Sequence, residues 1–223
     1  MLNKNQAGAS LIDMLIGLSI GVILTLGVIV FYSSTSRISN KILTTVRLEH
    51  EMQTAMAMMK NDIRRAGYTA GAKGLVGTGT INPFMVAGTS DIAVPSSDCV
   101  LLSYDLDMDG ALPDLNTEGS DERFGYRLVN QVIQTRAATD ANFSCSAGTW
   151  ENLTNANLIQ ITNLTYTLTE TIESLDAAKP PPTGASITIR QISISMTGQL
   201  LKDTAVQRTI TSQVRVRNDK YTP

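Results

Sequence analysis

An α+β fold is predicted: a long N-terminal helix, membrane-spanning then amphipathic, packed on an antiparallel β-sheet head. Three observations predict it. No charged residue stands between Asp13 and Arg37. Apolar residues then recur every three or four positions as far as Ile63. From Asp91 onward the apolar period becomes two, the repeat of a strand with one face packed and one wet. The 223 residues suffice for one domain with a real core and are too few for two large ones. With 43% hydrophobic and 17% charged residues, the composition is that of a folded chain.

Residues 1–8 (MLNKNQAG) form a short polar leader with one positive charge, Lys4. The 23 residues Met14–Ser36 are polar only at Ser19, Thr25, Tyr32 and a closing Ser/Thr cluster. At about 1.5 Å rise per residue they span roughly 34 Å as a helix, enough to cross a hydrocarbon core of about 30 Å. A cleaved signal peptide has a shorter apolar region followed by a small-residue cleavage site. Here the apolar run is too long, and its flank continues into helix. Hydropathy alone therefore indicates a single-pass membrane anchor. Beyond it, Ile38, Ile42, Val46, Met52, Met56, Met59 and Ile63 share one helix face. The methionines read as a packing face. A helix of about 55 residues over 9–66 results, closed by Gly67. Gly17-x-x-x-Gly21 permits close packing of a neighbouring helix.

The remaining residues, 67–223, make the head. A glycine-rich connection runs to residue 90. Ile159, Ile161, Leu164, Tyr166 and Leu168 line one strand face. Ile187 and Ile189 alternate in one phase and Ile192, Ile194 and Met196 in the other, which predicts a bulge at Arg190–Gln191. Val206, Ile210, Val214 and Val216 share a face of a last strand. The proline run in Lys179–Gly184 predicts a rigid turn, and Phe124–Thr135 a further hairpin.

Several chemistries are excluded or disfavoured at once. The sole histidine, His50, lies between Glu49 and Glu51 and reads as a solvated helix residue. No multi-histidine metal site is possible, and any Ser-His-Asp or Cys-His arrangement would have to use it. No Ser-x-x-Lys, Gly-x-Ser-x-Gly or nucleotide-binding loop is present. No catalytic residue is assigned. A formal net charge of −2 argues against nucleic acid as the main partner.

Gly8-Ala9-Ser10-Leu11-Ile12-Asp13 resembles the processing site of type IV pilins and pseudopilins, typically Gly-Phe-Thr-Leu-Ile-Glu. The resemblance implies cleavage by prepilin peptidase after Gly8 and methylation of Ala9. Ala9 replaces the usual phenylalanine, and Asp13 replaces the glutamate with a shorter reach. A carboxylate in an apolar span is expensive. The family's partner for it is the amino terminus of a neighbouring subunit in the filament. Met59–Tyr68 (MKNDIRRAGY) and Phe124–Asn130 (FGYRLVN) resemble segments of PilW-type minor pilins. This second resemblance implies a low-copy pilin that initiates or caps pilus assembly. Its partners would be other minor pilins and the major pilin, through N-terminal helices. It would sit in the inner membrane with a periplasmic head and pass to an extracellular pilus. The J-type pseudopilin of type II secretion shares the plan and is the alternative. A membrane-anchored periplasmic enzyme or ligand-binding protein is a further one, which would keep its leader or lose the whole apolar segment.

Cys99 and Cys145, the only cysteines, fall in the part expected to face the periplasm, where disulfides persist. Their bridge would stabilise by roughly 4 kcal/mol on a chain-entropy argument. No cofactor is required, but calcium is a candidate ligand. Nine acids between Asp91 and Glu122 share a stretch without Lys or Arg. Within it Asp105-x-Asp107-x-Asp109-Gly110 places oxygen ligands at alternate positions before a glycine turn, as calcium loops do. The twelfth position holds Asn116, with Glu118 two residues later, so the closing oxygen is expected from one of these.

Overall fold

A computed structural model describes residues 10–75, 80–112, 122–136, 143–176, 178–181 and 183–222. Helix α1 runs Leu11–Arg65 without interruption, 55 residues as expected from the sequence. The chain divides into two compact units, 1–46 and 47–223. In the first, the apolar side chains of α1, from Leu11 to Tyr32, are exposed. So are Ile38, Ile42 and Val46, the first part of the amphipathic stripe. The helix is long and apolar enough to cross a membrane.

The second unit begins inside the helix, because the stripe becomes a core face there. Leu48, Met52, Ala55, Met56, Met59 and Ile63 are buried, at spacings that hold one side of a helix. Two antiparallel sheets share this core. The first is a meander of five strands in chain order: β1 Ala93–Ser96, β2 Cys99–Ser103, β3 Arg123–Val129, β4 Val132–Arg136 and β5 Trp150–Asn152. The second places β7 Ser186–Leu200 between β6 Ile159–Ser174 on one side and β8 Gln207–Arg215 on the other. A short β9, Lys220–Thr222, also pairs with β7. Val100, Leu102, Tyr126 and Ile133 of the first sheet meet Ile161, Tyr166, Ile192 and Ile194 of the second in one cluster with the helix. Helix, strands and their antiparallel order make this α+β.

The hairpin expected over Phe124–Thr135 is β3–β4. Asn130 and Gln131 turn it with φ of 50° and 65°, the two positive angles of a type I′ turn whose twist suits a hairpin. The bulge, however, is elsewhere. β7 alternates without a break, and Ser186, Thr188 and Arg190 continue the inward face that Ile192 and Ile194 occupy. Ile187 and Ile189 lie half-buried on the other side. The inward face carries polar groups at this end because Arg190 is neutralised in place. Its guanidinium, 1% exposed, pairs with Asp91, which also holds Lys220 Nζ at 2.6 Å. The register shift falls in β6, between Ile161 and Asn163. One extra residue there returns Leu164 and Tyr166 to the core side.

Candidate functional site

Two places on α1 carry polar groups that an apolar or core-facing helix has to explain. The first is the N-terminal turn. Ser10 Oγ accepts the Ile12 N–H at 3.4 Å, and the Asp13 carboxylate reaches back to the Ser10 N–H at 3.2 Å. This reciprocal arrangement is a capping box, satisfying donors that the first turn leaves free. Asp13 also lies at the positive end of the helix dipole. The proposed processing residues Gly8 and Ala9 lie outside the described residues.

The second is the C-terminal end of α1, which turns the helix into the head. Asp62 accepts the hydroxyl of Tyr104 at 3.1 Å and that of Tyr126 through a short bond. Burial first, then the Asp62 charge, holds both phenols well above their ordinary titration range. Arg65 lies 4.3 Å over the Tyr104 ring, whose other neighbour, Phe124, stacks at 4.2 Å. Gly67 leaves the helix with φ of 72°, and a Cβ there would meet Met85 Cε at 2.3 Å. Its N–H donates to Ser103 O at 2.8 Å. Asn218 Nδ2 donates to Arg65 O and Ala66 O at 3.2 and 3.0 Å, satisfying carbonyls that a helix end leaves open. The fold therefore brings the segments Met59–Tyr68 and Phe124–Asn130 together.

The acidic loop is built onto this junction. Asp105 N–H donates to Tyr68 O at 3.0 Å. Asp105 Oδ2 accepts the N–H groups of Ala70 at 2.8 Å and Gly110 at 3.1 Å. Asp107 and Asp109 point to solvent, each accepting the N–H two residues on, at 3.1 and 2.7 Å. Gly110 makes the turn with φ of 78°, where side-chain-bearing residues are strained. The structure adds a carboxylate that spacing alone did not single out. Glu122, just before β3, is fully buried and accepts the N–H groups of Leu106 and Asp107. Burial pushes its carboxyl above the usual range, although those two donors pull it down. Asn116 and Glu118 lie outside the described residues, so their expected closing role has no structural account. No motif marks Glu122; only its place in a run of nine acids was visible.

The disulfide expected between Cys99 and Cys145 is present, with Cα atoms 6.3 Å apart. It ties β2 to the segment before β5. Arg127 on β3 reinforces that tie, donating to Cys145 O at 2.6 Å and lying 4.3 Å over the Trp150 ring.

Comparison with known proteins agrees with this architecture. No solved structure matches the chain. A protein of Escherichia coli (strain K12), prepilin peptidase-dependent protein B, is 28% identical over 157 residues, 70% of this chain and 74% of the relative. The family model described as prepilin peptidase-dependent protein B matches residues 41–216, from the middle of α1 to the residue after β8. With the helix end, the first sheet, β6–β8 and the acidic loop inside that match, the chain belongs to the prepilin peptidase-dependent protein B family and is pilin-related.

Proposed function

We propose that this chain is a minor type IV pilin of the PilW type. Prepilin peptidase cuts it after Gly8 and the new terminus at Ala9 is methylated. Residues 14–36 hold it in the inner membrane with its head in the periplasm. It then enters the pilus in low copy through its N-terminal helix, beside other minor pilins and the major pilin, and initiates or caps the filament at its tip. The role is structural and assigns no catalytic chemistry. The observation that carries it is the single 55-residue α1, exposed and apolar at one end and seated in a sheet head at the other. The relative's name, which states dependence on prepilin peptidase, supports the processing step.

The test is the mature N-terminus. Mass spectrometry of the protein from native membranes should find a methylated Ala9 and residues 9–36 retained. Gly8→Glu should leave the full-length chain, since it sets bulk and charge at the peptidase cut. An intact Met1 terminus in cells with active peptidase overturns the proposal. Deleting the gene should lower pilus number and leave protein secretion unchanged; the opposite outcome selects the J-type pseudopilin role.

A further inference from the structure

Asp105 and Glu122 are both fully buried, and each has one carboxylate oxygen without a hydrogen-bond partner. Asp105 Oδ2 takes the Ala70 and Gly110 N–H groups, which leaves Oδ1. Glu122 Oε1 takes those of Leu106 and Asp107, which leaves Oε2. A buried oxygen with no donor is costly and calls for a reason. The reason lies beside them. Asp105, Asp107, Asp109 and Glu122 each offer one carboxylate oxygen, and these four lie within 4.8 Å of one another. Four carboxylates so close repel one another unless a cation sits among them. No Lys or Arg lies between Asp105 and Glu122 in the sequence. The donors are all hard oxygens, without sulfur or imidazole, the set that suits calcium and not the softer transition metals.

We propose that Asp105, Asp107, Asp109 and Glu122 bind a calcium ion, with Glu122 in the closing role. The assignment stands on these side chains alone and is independent of the pilin reading. Two ligands come from buried, backbone-anchored carboxylates and two from the exposed loop. Such a mixed, adjustable cage accommodates calcium better than magnesium, which demands near-ideal octahedral geometry and keeps its waters. The ion ties three parts of the head together. Asp105 is bonded to Tyr68 and Ala70 just past α1, Asp107 and Asp109 belong to the loop, and Glu122 leads into β3.

The full-length chain, purified in detergent and stripped with a chelator, is titrated with calcium chloride by calorimetry and melted with and without it. We expect one saturable site with Kd on the order of 0.1–1 mM, the range of extracellular calcium modules. At about 10 mM calcium, Tm should rise by about 5 °C, and magnesium should raise it less. Asp107→Asn changes an exposed side chain and should weaken calcium about tenfold or more by removing a ligand charge. Glu122→Gln should do the same; if that variant does not fold, Asp107→Asn decides. No saturable uptake by the wild type, an equal shift with magnesium, or unchanged binding by Asp107→Asn overturns the proposal.

Discussion

At the scale of single residues, Asp13 has both a local and a proposed intermolecular role, and the two are separable. Its carboxylate caps α1 through the Ser10 N–H, an interaction worth about 0.5–1 kcal/mol in the first turn of a helix. In the assembly proposed above it also meets a neighbour's amino terminus, which requires the charge. Asp13→Glu keeps the charge and lengthens its reach, so filaments should form at close to the normal number. Asp13→Ala removes both and should leave peptidase cleavage intact while filament number, counted by electron microscopy, falls well below wild type. Asp13→Asn keeps an acceptor for the cap but no charge. It should behave like the alanine variant; normal piliation by the asparagine variant would assign the residue to capping alone. Asp62 shows the opposite history. It stood in the sequence as one charged residue of a helix end, whereas the fold makes it the acceptor for two tyrosines from different strands.

One covalent cross-link joins elements of the head, the Cys99–Cys145 bridge. The cysteines are 46 residues apart, and the loop between them includes β3, β4 and the acidic segment. Cys99→Ser should lower unfolding stability in urea by about 3–4 kcal/mol, from the chain entropy restored to the unfolded state. A loss below about 1 kcal/mol would mean that Arg127, bonded to the Cys145 carbonyl, holds the segment without the covalent tie. The strands themselves were largely legible, since period-two alternation survives in any half-buried strand. The bulge was not. Alternation of Ile187 and Ile189 against Ile192 and Ile194 looks like a phase slip because the inward positions before Ile192 are the polar Ser186, Thr188 and Arg190. Arg190 occupies the inward face only because Asp91, 99 residues away, is brought against it.

For the molecule as a whole, the core contains three tyrosines, Tyr104, Tyr126 and Tyr166, each less than 4% exposed. Burial is the first cause holding their phenols well above the ordinary range, and Asp62 adds to it for the first two. Because the folded-state values are raised, this burial stabilises fully below the unfolded value near pH 10. Its contribution is lost as pH rises beyond that, at up to about 1.4 kcal/mol per unit and per tyrosine. In an alkaline titration followed together by absorbance at 295 nm and circular dichroism, these three should ionise only as the head unfolds cooperatively. Ionisation of all six tyrosines of the chain with the ellipticity unchanged would contradict the packing described here.

What the sequence determined by itself is what depends on near neighbours along the chain. The charge-free run after Asp13, the helical stripe, the hairpin and the alternating strands are local patterns with fixed periods, and they specify a long helix followed by a sheet. The Asp-x-Asp-x-Asp-Gly spacing is equally local, and it contains three of the four proposed calcium ligands. Tertiary structure alone decided the rest. It placed Glu122 beside Asp105, seated Tyr104 and Tyr126 on Asp62, and neutralised Arg190 with Asp91 in the interior. The last two pair a charge with a distant partner. Burial is tolerable only when the partner arrives, and no period in the sequence records which partner that is.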